Sequence, residues 1–202
     1  MRSCSGSRSA SDRISRRRFL ARAGGLAGGM LVVGSAGVAG QEGVFMRAEE
    51  AAAALFPDAG AVAEHTVVAT PELRARVRTL LGRAPSLWEP AYRIFTLDRG
   101  VRGSGFVVIV EEIGKHRPIT FAVAVGADGR VQDLAVLAYR EAYGGEVRER
   151  RFLKQYAGKA LVDPLLPYRD IRNISGATLS VEATGRAARK AIAVLQAVGD
   201  LT

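Results

Sequence analysis

The stretch Ile119-Thr120-Phe121-Ala122-Val123-Ala124-Val125-Gly126-Ala127-Asp128-Gly129-Arg130-Val131-Gln132-Asp133-Leu134-Ala135-Val136-Leu137-Ala138-Tyr139 decides the fold. From Ile119 to Val125 bulky apolar residues (Ile119, Phe121, Val123, Val125) alternate with smaller ones, the period of a strand whose two faces differ. Gly126 to Arg130 supplies the glycines and the aspartate that a hairpin connection needs for its unusual dihedrals. Val131 to Tyr139 then returns as the partner strand. An antiparallel pair is therefore expected over 119–139.

Working outward, Gly105 to Val110 is apolar almost throughout, as for a strand covered on both faces or at a sheet centre. Tyr92 to Leu97 opens this β-rich half. Before it, Arg47 to Phe56 places Ala51, Ala54 and Leu55 on one helical face, and Pro57-Asp58-Ala59-Gly60 ends that helix. His65 to Ala69 is a short strand candidate. Thr70-Pro71-Glu72 carries the cap, the first-position proline and the first-turn acid of a helix start. Its stripe is Leu73, Val77, Leu80 and Leu81, and Gly82 stops it. After the hairpin, Glu146 to Lys159 reads as a charged helix with Val147, Phe152, Leu153 and Tyr156 turned inward and Gly158 closing it. The last helix shows Val181, Ala188, Ile192, Leu195 and Val198 as its apolar stripe. Together these predict an α+β fold, an antiparallel meander flanked by helices.

The 202 residues leave room for one domain of ordinary size behind a leader. The formal charge of +9 does not make the chain a nucleic-acid binder. Residues 1–39 carry seven arginines and one aspartate, which leaves 22 basic and 19 acidic side chains, a net of +3, on residues 40–202. The single cysteine, Cys4, lies in the leader, so the body has no thiolate for a metal or cluster and no disulfide. His65 and His116 are the only histidines, far apart in sequence, and do not suggest a metal site.

Ser15-Arg16-Arg17-Arg18-Phe19-Leu20, followed by a weakly apolar, glycine-rich run from Ala23 to Ala39, has the order of a signal peptide: charged, apolar, then small residues suited to cleavage near Ala36 or Ala39. The paired arginines before Phe-Leu look like a twin-arginine export signal. An uncleaved membrane anchor is the alternative, though the run is short and rich in glycine for one. The expected location is periplasmic or otherwise extracytoplasmic, with membrane association open.

Near the C-terminus stands Arg172-Asn173-Ile174-Ser175-Gly176-Ala177-Thr178-Leu179-Ser180, leading into the alanine-rich last helix. Small residues let backbone approach a ligand closely, and a helix N-terminus attracts phosphate. By spacing alone, a hydroxyl that caps the helix is the favoured reading of Thr178. The order Ser-Gly-Ala-Thr-x-Ser, however, resembles the signature of the FMN-binding domain family, which includes the flavin-bearing C subunit of sodium-translocating NADH:quinone oxidoreductase and the G subunit of the Rnf complex. The resemblance extends back to about Gly114. It takes in Asp128-Gly129-Arg130-Val131 and then Glu141-Ala142-Tyr143-Gly144-Gly145, where relatives have a Glu-Thr-Pro-Gly-like turn.

That resemblance implies a single FMN-binding domain over 40–202. It implies FMN as cofactor, attached through its phosphate to Thr178 by a separate flavin transferase. Ser175, Gly176, Ala177, Leu179 and Ser180 would shape the phosphate loop, and Glu141, Tyr143, Gly144 and Gly145 would approach the flavin. It further implies electron transfer with redox partner proteins at the membrane; that nucleic acid is not a partner rests on the body's small net charge. Two departures bear on this. Thr-Pro is replaced by Ala142-Tyr143, and the aspartate that relatives commonly carry three positions before Ser-Gly-Ala-Thr is Arg172 here. A non-covalent FMN sensor or regulatory module and a flavin-dependent reductase are the rival functions. Lys115-His116-Arg117, between two strands, is either a solvated loop or a source of cationic charge near the flavin.

Overall fold

The computed structural model describes residues 43–199. The segment expected to be an export leader, with its expected cleavage point, lies outside the described residues. In chain order the elements are β1 (Gly43–Val44), α1 (Ala48–Leu55), β2 (Val62–Val68), α2 (Pro71–Leu81), β3 (Ala91–Asp98), β4 (Ser104–Ile113), β5 (Pro118–Gly126), β6 (Val131–Tyr139), α3 (Arg150–Leu153) and α4 (Thr178–Val198). The strands form one six-stranded antiparallel sheet in the order β1-β6-β5-β4-β3-β2. The fold is α+β, with the meander β3-β4-β5-β6 at its centre and helices on both faces.

The alternation in β5 shows why the two faces differ. Phe121, Val123 and Val125 join the larger core, beneath α2 and α4, while Ala122 and Ala124 turn to the smaller core, where Ala51, Ala52 and Leu55 of α1 pack. Neighbouring strands obey the same rule. Tyr92, Ile94, Val108 and Val110 lie under α4's face, and Phe95, Leu97 and Val107 under α1's. Alanine on the α1 side lets a short helix sit close to the sheet.

The signals at the ends of α2 act as read. Thr70 Oγ1 accepts from Leu73 N at 3.2 Å, Pro71 is the first helical residue, and Gly82 takes the left-handed conformation. Leu80 and Ala54, expected inside, face solvent, while Ala52 is buried in Ala54's place. β2 starts at Val62, three residues earlier than expected, and stops before Ala69. The two-residue β1 was not anticipated.

Residues 146–159 are not one helix. A 3-10 turn (Gly145–Arg148) is followed by α3 and a second 3-10 turn (Lys154–Tyr156), with Glu149 extended between the first two. Val147, Phe152, Leu153 and Tyr156 are all buried, as expected. On a continuous α-helix Val147 and Phe152 would point about 140° apart, given roughly 3.6 residues per turn. The break at Glu149 brings both into one core. Gly158, at φ +79°, closes the segment and donates its N–H to Val131 O at 2.7 Å.

Candidate functional site

A cleft of about 480 Å³ opens at the N-terminus of α4. Three segments build it: the connection before β5 (Lys115, His116), the turn after β6 (Glu141, Ala142, Tyr143) and the α4 start (Gly176 to Ser180).

Glu141 ties the first two segments together. Its Oε1 accepts from His116 N at 2.6 Å and Arg117 N at 2.9 Å, and the residue is buried. Gly114 is needed beside it, because a methyl group there would lie 2.9 Å from the same Oε1 and 3.0 Å from Ile119 Cδ1. Burial pushes the carboxyl upward, but the N–H donors of this turn outweigh it and hold Glu141 below its ordinary 4.5. A carboxyl depressed on folding stabilises fully above its unfolded value near 4.5 and loses that contribution as the pH falls through the lower folded value. Glu141→Gln is therefore expected to cost about 1 kcal/mol at pH 7, the difference between a charged and a neutral acceptor, and almost nothing at pH 3. Thermal melts of both proteins at the two pH values check this; an equal deficit at both would refute the charge argument.

Tyr139, at the end of β6 and fully buried, ties the turn to α4. Its hydroxyl donates to the Tyr143 carbonyl, and Ser180 Oγ lies 2.9 Å away. A phenol has one proton, so in the second contact Ser180 is the donor. Ser180 thus spends its proton inside the protein and offers the cleft only lone pairs. Burial raises the Tyr139 phenol further above its ordinary 10.0, which keeps that proton in place. Gly144, at φ +87°, sits where the segments meet: a methyl group there would lie 2.8 Å from Tyr139 Oη and 2.9 Å from Ser180 Oγ.

The α4 start differs from the capping alternative. Ala177 is the N-cap and makes no side-chain cap bond, while Thr178 is the first helical residue. Thr178 Oγ1 instead accepts from Asn173 Nδ2 at 2.9 Å. The first intrahelical N–H is that of Val181, bonded to Ala177 O at 3.0 Å, so the amides of Thr178, Leu179 and Ser180 precede the helical ladder. Gly176, at φ +80°, turns the chain into the helix. Leu179 and Tyr143, 45% and 77% exposed, offer apolar surface along the cleft wall.

Most of the residues singled out in sequence come together. Glu141, Tyr143, Gly176, Ala177, Thr178, Leu179 and Ser180 line the cleft. Gly144 and Gly145 lie behind the wall, holding the turn, and Ser175 is exposed just before Gly176. Lys115 and His116, for which a solvated loop is the commoner sequence reading, are in the wall. Tyr139 read only as a strand residue, and nothing in its flanking pattern marks the hydroxyl that reaches Tyr143 and Ser180.

Asp170 does not stand in for the missing aspartate. Its carboxylate accepts from Leu165 N and Leu166 N at 3.2 and 3.0 Å and pairs with Lys159 Nζ at 3.0 Å. Arg172 has an exposed side chain and lines a neighbouring depression with Gln155 and Asn173.

A ligand with a phosphate tail and a flat apolar body fits these residues. There are leading helix amides and a free hydroxyl at one end, a glycine–alanine loop that permits close approach, and Tyr143 and Leu179 alongside. No curated protein matches the chain in sequence. Residues 114–193 match the family model of the FMN-binding domain, and every residue lining the cleft falls within that stretch. Over residues 114–193 the chain is therefore similar to the FMN-binding domain family, and that match supports FMN as its cofactor.

Proposed function

We propose that this chain is an exported electron carrier whose FMN is joined by its phosphate to Thr178. The observation that carries the reading is the state of the Thr178 hydroxyl. It stands at the first position of α4 in the cleft wall, accepts one hydrogen bond from Asn173, and has not given its own proton to any neighbour. Bound flavin supplies one- and two-electron chemistry, and the protein's part is to hold it and set its surroundings.

Forming the ester joins Thr178 Oγ1 to phosphorus and releases the hydroxyl proton. With FMN itself the leaving group would be water, an unfavourable condensation in aqueous solution. The donor is then an activated flavin nucleotide whose pyrophosphate bond breaks to release a nucleoside monophosphate. The one carboxylate in the cleft wall, Glu141, is already bound to backbone N–H groups. The base that takes the proton would come from the transferase.

The test is intact mass and in-gel flavin fluorescence under denaturing conditions, on protein co-produced with a flavin transferase. Wild type should carry fluorescence and the mass of one esterified FMN, and Thr178→Val should carry neither. Fluorescence persisting in the valine variant would eliminate Thr178 as the attachment point. Arg172, in place of the aspartate, favours a second reading in which the flavin is bound without a covalent link. A native yellow protein that loses all colour on denaturation would select it.

A further inference from the structure

Thr178 meets an amide that is itself held from behind. Asn173 Nδ2 donates to Thr178 Oγ1 at 2.9 Å and to Tyr168 Oη at 2.6 Å, while Asn173 Oδ1 is buried and meets no donor. Both amide hydrogens are thus committed to hydroxyl oxygens, and the side chain is fixed by its N–H₂ end alone. Tyr168 is unusual in its own right. It is a non-glycine residue at φ +64°, and the residue is 79% exposed. The loop that holds it there is tied at several points: Tyr168 N donates to Ile171 O at 3.1 Å, and Asp170 gathers Leu165 N, Leu166 N and Lys159 Nζ. A backbone conformation that side chains rarely adopt, maintained by a tied loop, places one phenol oxygen against one amide.

We propose that Asn173, braced by Tyr168, is a positioning residue that turns the Thr178 hydroxyl proton toward the phosphate of the bound flavin. This rests on the reading of Thr178 as the phosphate's partner. The amide fills one lone pair of Oγ1 with a donor, so the hydroxyl proton must point elsewhere, and the open direction is the cleft. An aspartate at 173 would do the opposite: it would accept the Thr178 proton and set a negative charge near the phosphate. Asparagine is the residue type that leaves the hydroxyl a donor.

FMN and riboflavin differ only in the phosphate, and so separate positioning from general structure. Their affinities for the flavin-free protein, without transferase, are read from quenching of flavin fluorescence. Wild type should prefer FMN. Asn173→Leu should weaken FMN about tenfold and riboflavin by less than about twofold, the loss of a hydrogen bond to a charged group being of that size. Tyr168→Phe, which keeps the ring and removes the brace, should show the same selectivity with a smaller loss, about threefold. Asn173→Asp should lose more FMN affinity than Asn173→Leu at neutral pH, with the deficit shrinking as the pH falls through the carboxylate range. In the Thr178→Val background, Asn173→Leu should add under about twofold, because its effect runs through that hydroxyl. Equal losses for FMN and riboflavin, or FMN affinity unchanged in both Asn173→Leu and Tyr168→Phe, would overturn this inference and leave the phosphate reading standing. A wild type with no preference for FMN over riboflavin would overturn both.

Discussion

Lys190→Met is expected to lower the melting temperature by on the order of 10 °C, the consequence of losing about 3–5 kcal/mol in a chain of this size. Lys190 lies on α4, has no exposed surface, and its Nζ meets four oxygens. These are Glu89 Oε2 at 2.7 Å, Glu112 Oε1 at 3.6 Å, and the carbonyls of Leu87 and Glu111 at 2.7 and 2.8 Å. Glu112 has other partners, Arg186 Nε at 3.2 Å and the Ser86 hydroxyl. Glu89 does not share that insurance. Its Oε1 takes Glu111 N at 2.6 Å, but its Oε2 is left facing the interior when Lys190 is gone. Methionine fills the space of the lysine stem, so the cost is the uncompensated charge and the two stranded carbonyls, not a cavity. Adding Glu89→Gln to Lys190→Met should recover part of the loss. Chemical denaturation of wild type, both single variants and the double variant measures the coupling. A Lys190→Met protein as stable as wild type would show that this cluster contributes nothing to the attachment of α4 to the 86–89 segment and β4.

Lys190 also marks the limit of what periodicity reveals. The hairpin of β5 and β6 was legible because its two faces carry side chains of different size, so alternation survives in the sequence. The α2 boundaries were legible because Thr70, Pro71 and Gly82 each act locally. The cleft was legible where its residues are close in sequence, as from Ser175 to Ser180. What escaped depends on partners distant in the chain. Arg189 and Lys190 lie outside the apolar stripe of the last helix, yet Arg189 Nη1 is bound to the carbonyls of Leu161 and Asp163, and Lys190 is enclosed. A stripe of Val181, Ala188, Ile192, Leu195 and Val198 describes the side of α4 that meets the sheet. It misses Ala183, Thr184, Ala187, Ala191 and Val194, buried as well. Likewise the continuous helix expected over 146–159 is broken because Val147 and Phe152 must reach the same core. The Tyr168–Asn173–Thr178 contacts joined residues five apart through a loop whose backbone no local pattern announces.

The same enclosure makes Gly185→Ala a decisive substitution. In the middle of an exposed helix, glycine to alanine stabilises by about 1 kcal/mol, since alanine is the better helix former. Here the sign should reverse. A methyl group at Gly185 would overlap the carbonyl oxygen of Leu165 and lie 3.1 Å from its carbonyl carbon. Both are backbone atoms, and no rotamer change can move them aside. Leu165 is itself buried and at φ +52°, and its N–H is bound to Asp170, so the loop has little freedom to retreat. Relief requires α4 and the 163–171 loop to separate, at a cost of about 3 kcal/mol or more, the upper range for overpacking. The melting temperature should fall by about 6–12 °C for a chain of this length. Thr178 stands two helical turns before Gly185, and Tyr168 belongs to the displaced loop, so the two sides of the Asn173 bridge would part. Gly185→Ala should therefore lose FMN affinity along with stability, even at temperatures where it is fully folded by circular dichroism. A variant more stable than wild type, or one equally stable with undiminished FMN binding, would mean that α4 does not rest on the Leu165 carbonyl.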